Sequence, residues 1–162
     1  MVDSLGEGEI EVGKESPLML GKLGNMYQMP EDTRMGRDED RKAWACGLFA
    51  AISSVDAYET KDITVSNAGK VYERLEIHDR SPQMYVVLKG KVEIPASKTL
   101  DGEKAICVVS EGEAIILNPK VWHGGASGID VPASVFVVLD EGTTQNDTKK
   151  VNLGVPFELG PR

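Results

Sequence analysis

The residues able to do chemistry cluster in "RLEIHDRSPQMYVVLKG", Arg74 to Gly90, and around His123, the second of only two histidines in the chain. The first stretch reads as two short strands joined by a turn at Asp79 to Pro82. Side chains alternate across a strand, so Tyr72, Arg74, Glu76 and His78 share one face, while Leu75 and Ile77 share the other. On the next strand Gln83, Tyr85 and Val87 share a face, opposed by Met84, Val86 and Leu88. His123 lies in "GEAIILNPKVWHGGASG", after an apolar strand, a bend with Pro119 and Trp122. A metal site in an antiparallel barrel draws ligands from at least two strands. Glu76 and His78 supply an i, i+2 pair, His123 a third ligand from a distant strand, and Gln83 a fourth. Two imidazoles, a carboxylate and an amide oxygen suit a borderline divalent ion such as Ni, Mn, Zn or Fe. Taken singly, each of these residues is more often structural or a solvated strand residue. Only their joint pattern points to a site.

The elements that would carry these residues are mostly β. "DITVS", "KVYERLEIH", "QMYVVLKG", "KVEIPA", "KAICVV", "EAIILN" and "ASVFVVLD" are short strands, punctuated at Asn67 to Gly69, Gly90, Asp101–Gly102, Glu111–Gly112 and Gly124 to Gly128. The apolar run "AWACGLFAAIS" is read with them, since the β signals are taken to begin at Ala43. "MPEDTRMGRDEDRK" before it is read as a charged loop. Ser16 as an N-cap, Pro17 at the first helical position and Gly24 as a stop predict one short helix near the N-terminus. Residues 1–14 are Gly/Glu-rich and expected to be flexible, leaving 15–162 as a single domain. Many short strands with few helical intervals predict a mainly all-β sandwich or barrel.

The 162 residues can bury a sufficient core without disulfide or metal. Cys46 and Cys107 both lie in apolar runs and are expected as buried free thiols. A net charge of −8 opposes phosphate backbones and anionic membrane surfaces, so neither nucleic acid nor membrane is an expected partner. No stretch reaches the roughly 18 apolar residues of a spanning helix. The acidic opening "MVDSLGEGEIEVGKES" has no basic start and apolar middle of an export signal, so a cytoplasmic location is expected.

Residues 69 to 90 resemble the first motif of the cupin superfamily, Gly-x5-His-x-His-x3,4-Glu-x6-Gly. Glu76-x-His78-x4-Gln83-x6-Gly90 keeps its spacing, with Glu for the first His, Gln for the Glu, and Gly69 one position off. The second motif, Gly-x5-Pro-x-Gly-x2-His-x3-Asn, is matched by Gly112 and His123, with Asn118, Lys120 and Ser127 at the replaced positions. The resemblance implies a double-stranded β-helix, or jelly-roll barrel, with a divalent metal. "LEIHDRSPQMYVVLKG", "NPKVWHGG", "FVVLDEG" and "SPLMLGKLGN" further resemble the ureidoglycolate lyase branch. Two departures stand out: Gly124 where that family has a second histidine, and Asn118–Pro119 where it has His-Arg. The resemblance implies a carbon–nitrogen lyase of purine catabolism that cleaves (S)-ureidoglycolate to glyoxylate and urea. For that reaction it implies Glu76, if not a ligand, as general acid or base, Arg74 or Lys120 as the cation for the substrate carboxylate, and Tyr85 as a hydroxyl donor to a substrate oxygen. Cupins perform many chemistries, so two alternatives stay open. One is a metal-dependent isomerase or lyase for another small hydroxy, keto or sugar acid; the other is a non-catalytic small-ligand-binding cupin. A homodimer is also implied, through outward residues such as Leu75, Ile77, Met84 and Val86, which could instead pack under the N-terminal segment.

Overall fold

The computed structural model describes residues 9–11 and 23–161. Its elements are β1 (Glu9–Glu11), β2 (Gly24–Gln28), α1 (Glu31–Met35), α2 (Asp38–Ile52), β3 (Tyr58–Val65), β4 (Lys70–Ile77), β5 (Gln83–Ser97), β6 (Ala105–Ser110), β7 (Glu113–Leu117), β8 (Trp122–His123), β9 (Ser127–Asp140), α3 (Thr143–Asn146) and β10 (Lys149–Leu159). The molecule is mainly β, as expected. The helix expected over Ser16 to Gly24 lies outside the described residues except at Leu23 and Gly24. β1 falls within the segment expected to be flexible and runs parallel to β6.

The segment from Glu31 to Ile52 differs from its reading as a charged loop and a β-type run, for it forms α1 and α2. Asp38, Glu39 and Asp40 occupy the first turn of α2, where carboxylates favour the positive end of the helix dipole. The Arg37 N–H donates to Asp40 Oδ2 at 3.3 Å, satisfying a group at the helix start. Four alanines and no proline keep the interior helical, and Ala45 and Phe49, four residues apart, form its buried face. The apolar residues that suggested a strand are thus a helical stripe. Cys46 is correspondingly half-buried rather than enclosed, while Cys107 is buried, and both are free thiols. Burial pushes the Cys107 thiol up to about 12.

β5 organises the sheet. "QMYVVLKG" and "KVEIPA" are one strand of 15 residues, not two. Its first half lies between β7 and β9; its second half pairs with β6, reaches β8 at Ala96 and Ser97, and keeps β9 through Glu93. Between them Gly90 sits at φ 80°, and the register against β9 shifts from Val87 to Val92. A side chain cannot follow there: a Cβ on Gly90 would stand 2.5 Å from the Asp130 carbonyl oxygen. An irregularity of this kind bends a strand, and here it carries β5 from one layer into the other. One layer is β2-β7-β5-β9-β3, and the other continues from β5 to β6 and β1 on one side and to β8, β4 and β10 on the other. Among the described residues the outer strands do not pair with one another. The sheet is therefore bent over its core rather than closed as the expected barrel.

Val87, Val92, Ile94, Cys107, Ile115, Val135, Val137 and their neighbours fill the inner core. A second core lies outside β5 and β9, where Met84, Val86, Leu88, Phe136 and Val138 meet Ala45 and Phe49 of α2. The Phe49 ring stands edge-on to Tyr58 at 5.3 Å between centroids. Arg41 pins the same helix, its guanidinium donating to the carbonyls of Leu88 and Arg34. Met84 and Val86 are thus fully covered by α2, and Leu75 is buried against Tyr72 and Leu153. No described helix is long and apolar enough to cross a membrane.

Candidate metal centre

β4 ends beside β8, and the register places Glu76 opposite His123. His78 follows just past the end of β4, and Gln83 opens β5 after the turn. These local arrangements bring the three donors Glu76, His78 and His123 together, with ligand atoms all within 4.8 Å of one another. Gln83 Oε1 sits between the imidazoles, 2.7 Å from His78 Nε2 and 2.8 Å from His123 Nε2. Glu76 Oε1 lies 3.3 Å from His123 Nε2 and 3.9 Å from His78 Nε2. His78, His123 and Gln83 are buried, whereas the Glu76 side chain is 24% exposed.

The other ring nitrogens determine which atoms can bind a cation. His78 Nδ1 donates to the Asp147 carbonyl at 3.0 Å, and His123 Nδ1 to the Val121 carbonyl at 2.9 Å. A carbonyl only accepts, so the Nδ1 proton stays, and each imidazole when neutral turns its Nε2 lone pair toward Gln83 and Glu76. Lone pairs then converge from two nitrogens, the Gln83 oxygen and the Glu76 oxygen. A divalent ion resolves that convergence, and the donor set fits one. Without an ion, the Gln83 amide turned over offers its NH₂ to both Nε2 atoms. That leaves Glu76 Oε1 facing the lone pair of His123 Nε2 at 3.3 Å, with no proton between them.

Burial by itself would raise the Glu76 pKa. In the metal-free site the hydrogen bond and charge that a protonated His123 offers, with the charges of a protonated His78 and of Lys150, outweigh it, so its carboxyl lies below the ordinary value. Tyr85 is buried, its ring edge-on to His123 at 6.4 Å, and its hydroxyl donates to the Gly124 carbonyl at 3.4 Å. Burial holds that phenol well above its usual pKa, so it stays protonated.

An open cleft of about 850 Å³ reaches Glu76 and His123 and is lined further by Lys70 to Leu75, Gly124, Gly125, Lys150 and Asn152. Arg74 lies exposed on this lining. Lys120 does not: its side chain is exposed elsewhere, and its backbone, at φ 66°, donates its N–H to the His78 carbonyl at 2.7 Å. Gly124 has a packing reason. A Cβ there would stand 2.5 Å from the Tyr72 ring, which fills the adjoining space.

Two residues absent from the sequence reading belong to this site. Lys150 pairs with Glu76 in the β4–β10 register, its Nζ 4.0 Å from Glu76 Oε2. Asp147 supplies the carbonyl to His78, while its carboxylate accepts from the N–H groups of Asp79, Arg80 and Ser81 at 3.1, 3.0 and 2.9 Å. The alternation of Lys150 and Asn152 with Val151 and Leu153 is the strand signal that could have found β10.

No family model and no curated protein matches the chain. Among solved structures, the 3,4-ketoisomerase QdtA of Thermoanaerobacterium thermosaccharolyticum, in complex with TDP-4-keto-6-deoxyglucose, is similar at 17% identity. The match covers 56% of this chain and 64% of that one, with a TM-score of 0.47. A 3,4-ketoisomerase from Helicobacter canadensis is similar at 11% identity over 56% of this chain and 66% of its own, with a TM-score of 0.47. Oxalate decarboxylase from Bacillus subtilis is similar at 17% identity over 62% of this chain and 25% of its own, with a TM-score of 0.48. The chain thus spans less than two thirds of each of these proteins. Likenesses of this extent carry no weight for activity, which has to be argued from the chain's own side chains.

Proposed function

We propose that this chain is a metal-dependent enzyme of cupin type, acting on a small hydroxy, keto or sugar acid in the cleft beside Glu76. The observation that carries this reading is the convergence of Glu76, His78 and His123, with both Nδ1 atoms tied to backbone carbonyls. Glu76, His78 and His123 would hold the ion, with the Gln83 amide oxygen as a further donor. A divalent ion bound there supplies a Lewis acid to a substrate oxygen. The chain's own groups do the rest. The lowered pKa keeps Glu76 ionised at neutral pH, so it acts as ligand or base and not as a resident acid. Tyr85 keeps its proton and directs it to Gly124, bracing the segment that carries His123.

Within that class, cleavage of ureidoglycolate is a second reading, supported by the resemblance of Leu75 to Gly90 and of Asn118 to Gly125. Both readings meet one experiment. The purified protein is analysed for metal, then loaded with Mn, Ni, Zn or Fe in turn. Each form is incubated with racemic ureidoglycolate, a panel of small hydroxy and keto acids, and a nucleotide-linked keto sugar. Turnover of one acid, lost in His123→Ala together with the metal, is the expected result. Glyoxylate and urea release stopping near half consumption would select the lyase. Failure to bind any divalent ion would overturn the proposal and leave a binding module held together by the Gln83 amide.

A further inference from the structure

The register of β4 and β10 places a second chemistry next to the donor cluster. Paired residues of an antiparallel ladder share a face, so Lys150 stands beside Glu76 and Asn152 beside Arg74, and all four line the cleft. Lys150 touches Glu76 through Oε2, the oxygen turned away from the histidines, and is 53% exposed. The Arg74 side chain makes no ion pair and no hydrogen bond among the described residues. In a chain of net charge −8, this wall carries Lys70, Arg74 and Lys150 against Glu73 and Glu76. Lys150 meets Glu76 only at 4.0 Å and stays half exposed, and Arg74 faces solvent beside it. Lys70 is turned aside, its Nζ over the Tyr72 ring at 5.4 Å from the centroid.

We propose that Arg74 and Lys150 form a carboxylate-binding subsite in this cleft, which holds the acid group of the substrate while its oxygenated carbon faces Glu76, His78 and His123. A guanidinium fork matches the two oxygens of a carboxylate, and a flexible ammonium completes the charge without demanding a fixed geometry. The same two cations would also attract a phosphate, so the two anions have to be compared directly. The inference deepens the metal-enzyme reading and rests on it for the substrate's orientation. The subsite itself needs no metal.

That independence separates the two in experiment. Metal-free, ¹⁵N-labelled protein is titrated with malonate and its amide shifts are followed, with acetamide as a neutral control. Saturable shifts centred on Gly125 and Lys150 to Asn152 are expected. Lys150→Ala and Arg74→Ala should each weaken malonate by about tenfold, the scale of one charge-assisted hydrogen bond, and Lys150→Arg should stay near wild type. Both side chains are solvent-facing, so preserved spectral dispersion in each variant shows that folding is not what changed. Shifts spread evenly over the chain's lysines, unchanged affinity in both alanine variants, or tighter binding of inorganic phosphate than of malonate would overturn the subsite. Metal uptake with malonate binding indifferent to these variants would remove the subsite and keep the metal centre. Malonate binding lost in the variants of a protein that takes up no metal would do the reverse.

Discussion

Glu76 has two oxygens with different neighbours. Oε1 faces the imidazoles of His123 and His78, and Oε2 faces Lys150. The charge that suits Oε1 to a divalent ion is the same charge that Lys150 faces across the cleft. Glu76→Gln keeps the size and removes the charge. It is expected to weaken divalent metal by more than about tenfold, since even an outer-shell partner is worth that much. Competition against a chelating dye measures the change. His78→Ala and His123→Ala should each abolish stoichiometric metal, read by elemental analysis, while the far-ultraviolet dichroism stays that of the folded chain. Burial in the inner core, not an ion, holds these strands together.

At the scale of elements, the turn between β4 and β5 is held from outside itself. The Asp147 carboxylate collects three successive backbone N–H groups, and its carbonyl orients His78. Asp147→Ala leaves those groups to water or unpaired, and a loss of about 2–3 kcal/mol in denaturant unfolding is expected. Burial opposes the charge, but the three N–H donors and Arg80 hold the carboxyl below its ordinary 3.8. Such a group adds stability that is complete above the unfolded pKa and vanishes as pH falls through the lower folded one. The wild type should therefore lose more stability than Asp147→Asn when acidified from neutrality to below pH about 4. Melting temperatures across that range test it. Gly90 is the other element-scale constraint. Gly90→Ala must accept φ 80° and a 2.5 Å approach to the Asp130 carbonyl, at a cost of at least about 1–2 kcal/mol.

The whole molecule separates its tasks into two apolar cores on opposite faces of β5. The inner one contains Tyr85, next to His123, and the outer one fastens α2. Phe49→Ala empties the outer core and should cost about 3–5 kcal/mol, leaving metal stoichiometry unchanged in whatever fraction stays folded. Parallel unfolding and metal titrations would show that separation. The same division covers Met84 and Val86, so these residues serve the packing of α2 before any contact between chains.

Strand periodicity alone marked β4, both halves of β5, β6, β7 and most of β9, because alternation is written within a few residues. The spacing of Glu76, His78 and Gln83 was legible for the same reason: one strand end and one turn position them. The helical phase of Ala45 and Phe49 was masked by a run of apolar neighbours. It becomes apparent only once β5 and β9 provide a surface for one side of α2 to cover. Lys150 and Asp147 were illegible as site residues. Each reaches the site through pairing with chain some 70 residues away in sequence, a register that local propensity does not encode. The sequence by itself determined the candidate donors and their order along the strands. Tertiary structure decided that His123 meets Glu76 across the β4–β8 pairing, that Lys120 stays outside, and that Lys150 of β10 joins Arg74 of β4 on the cleft wall, because register across a sheet is a property of the folded ladder and not of either strand alone.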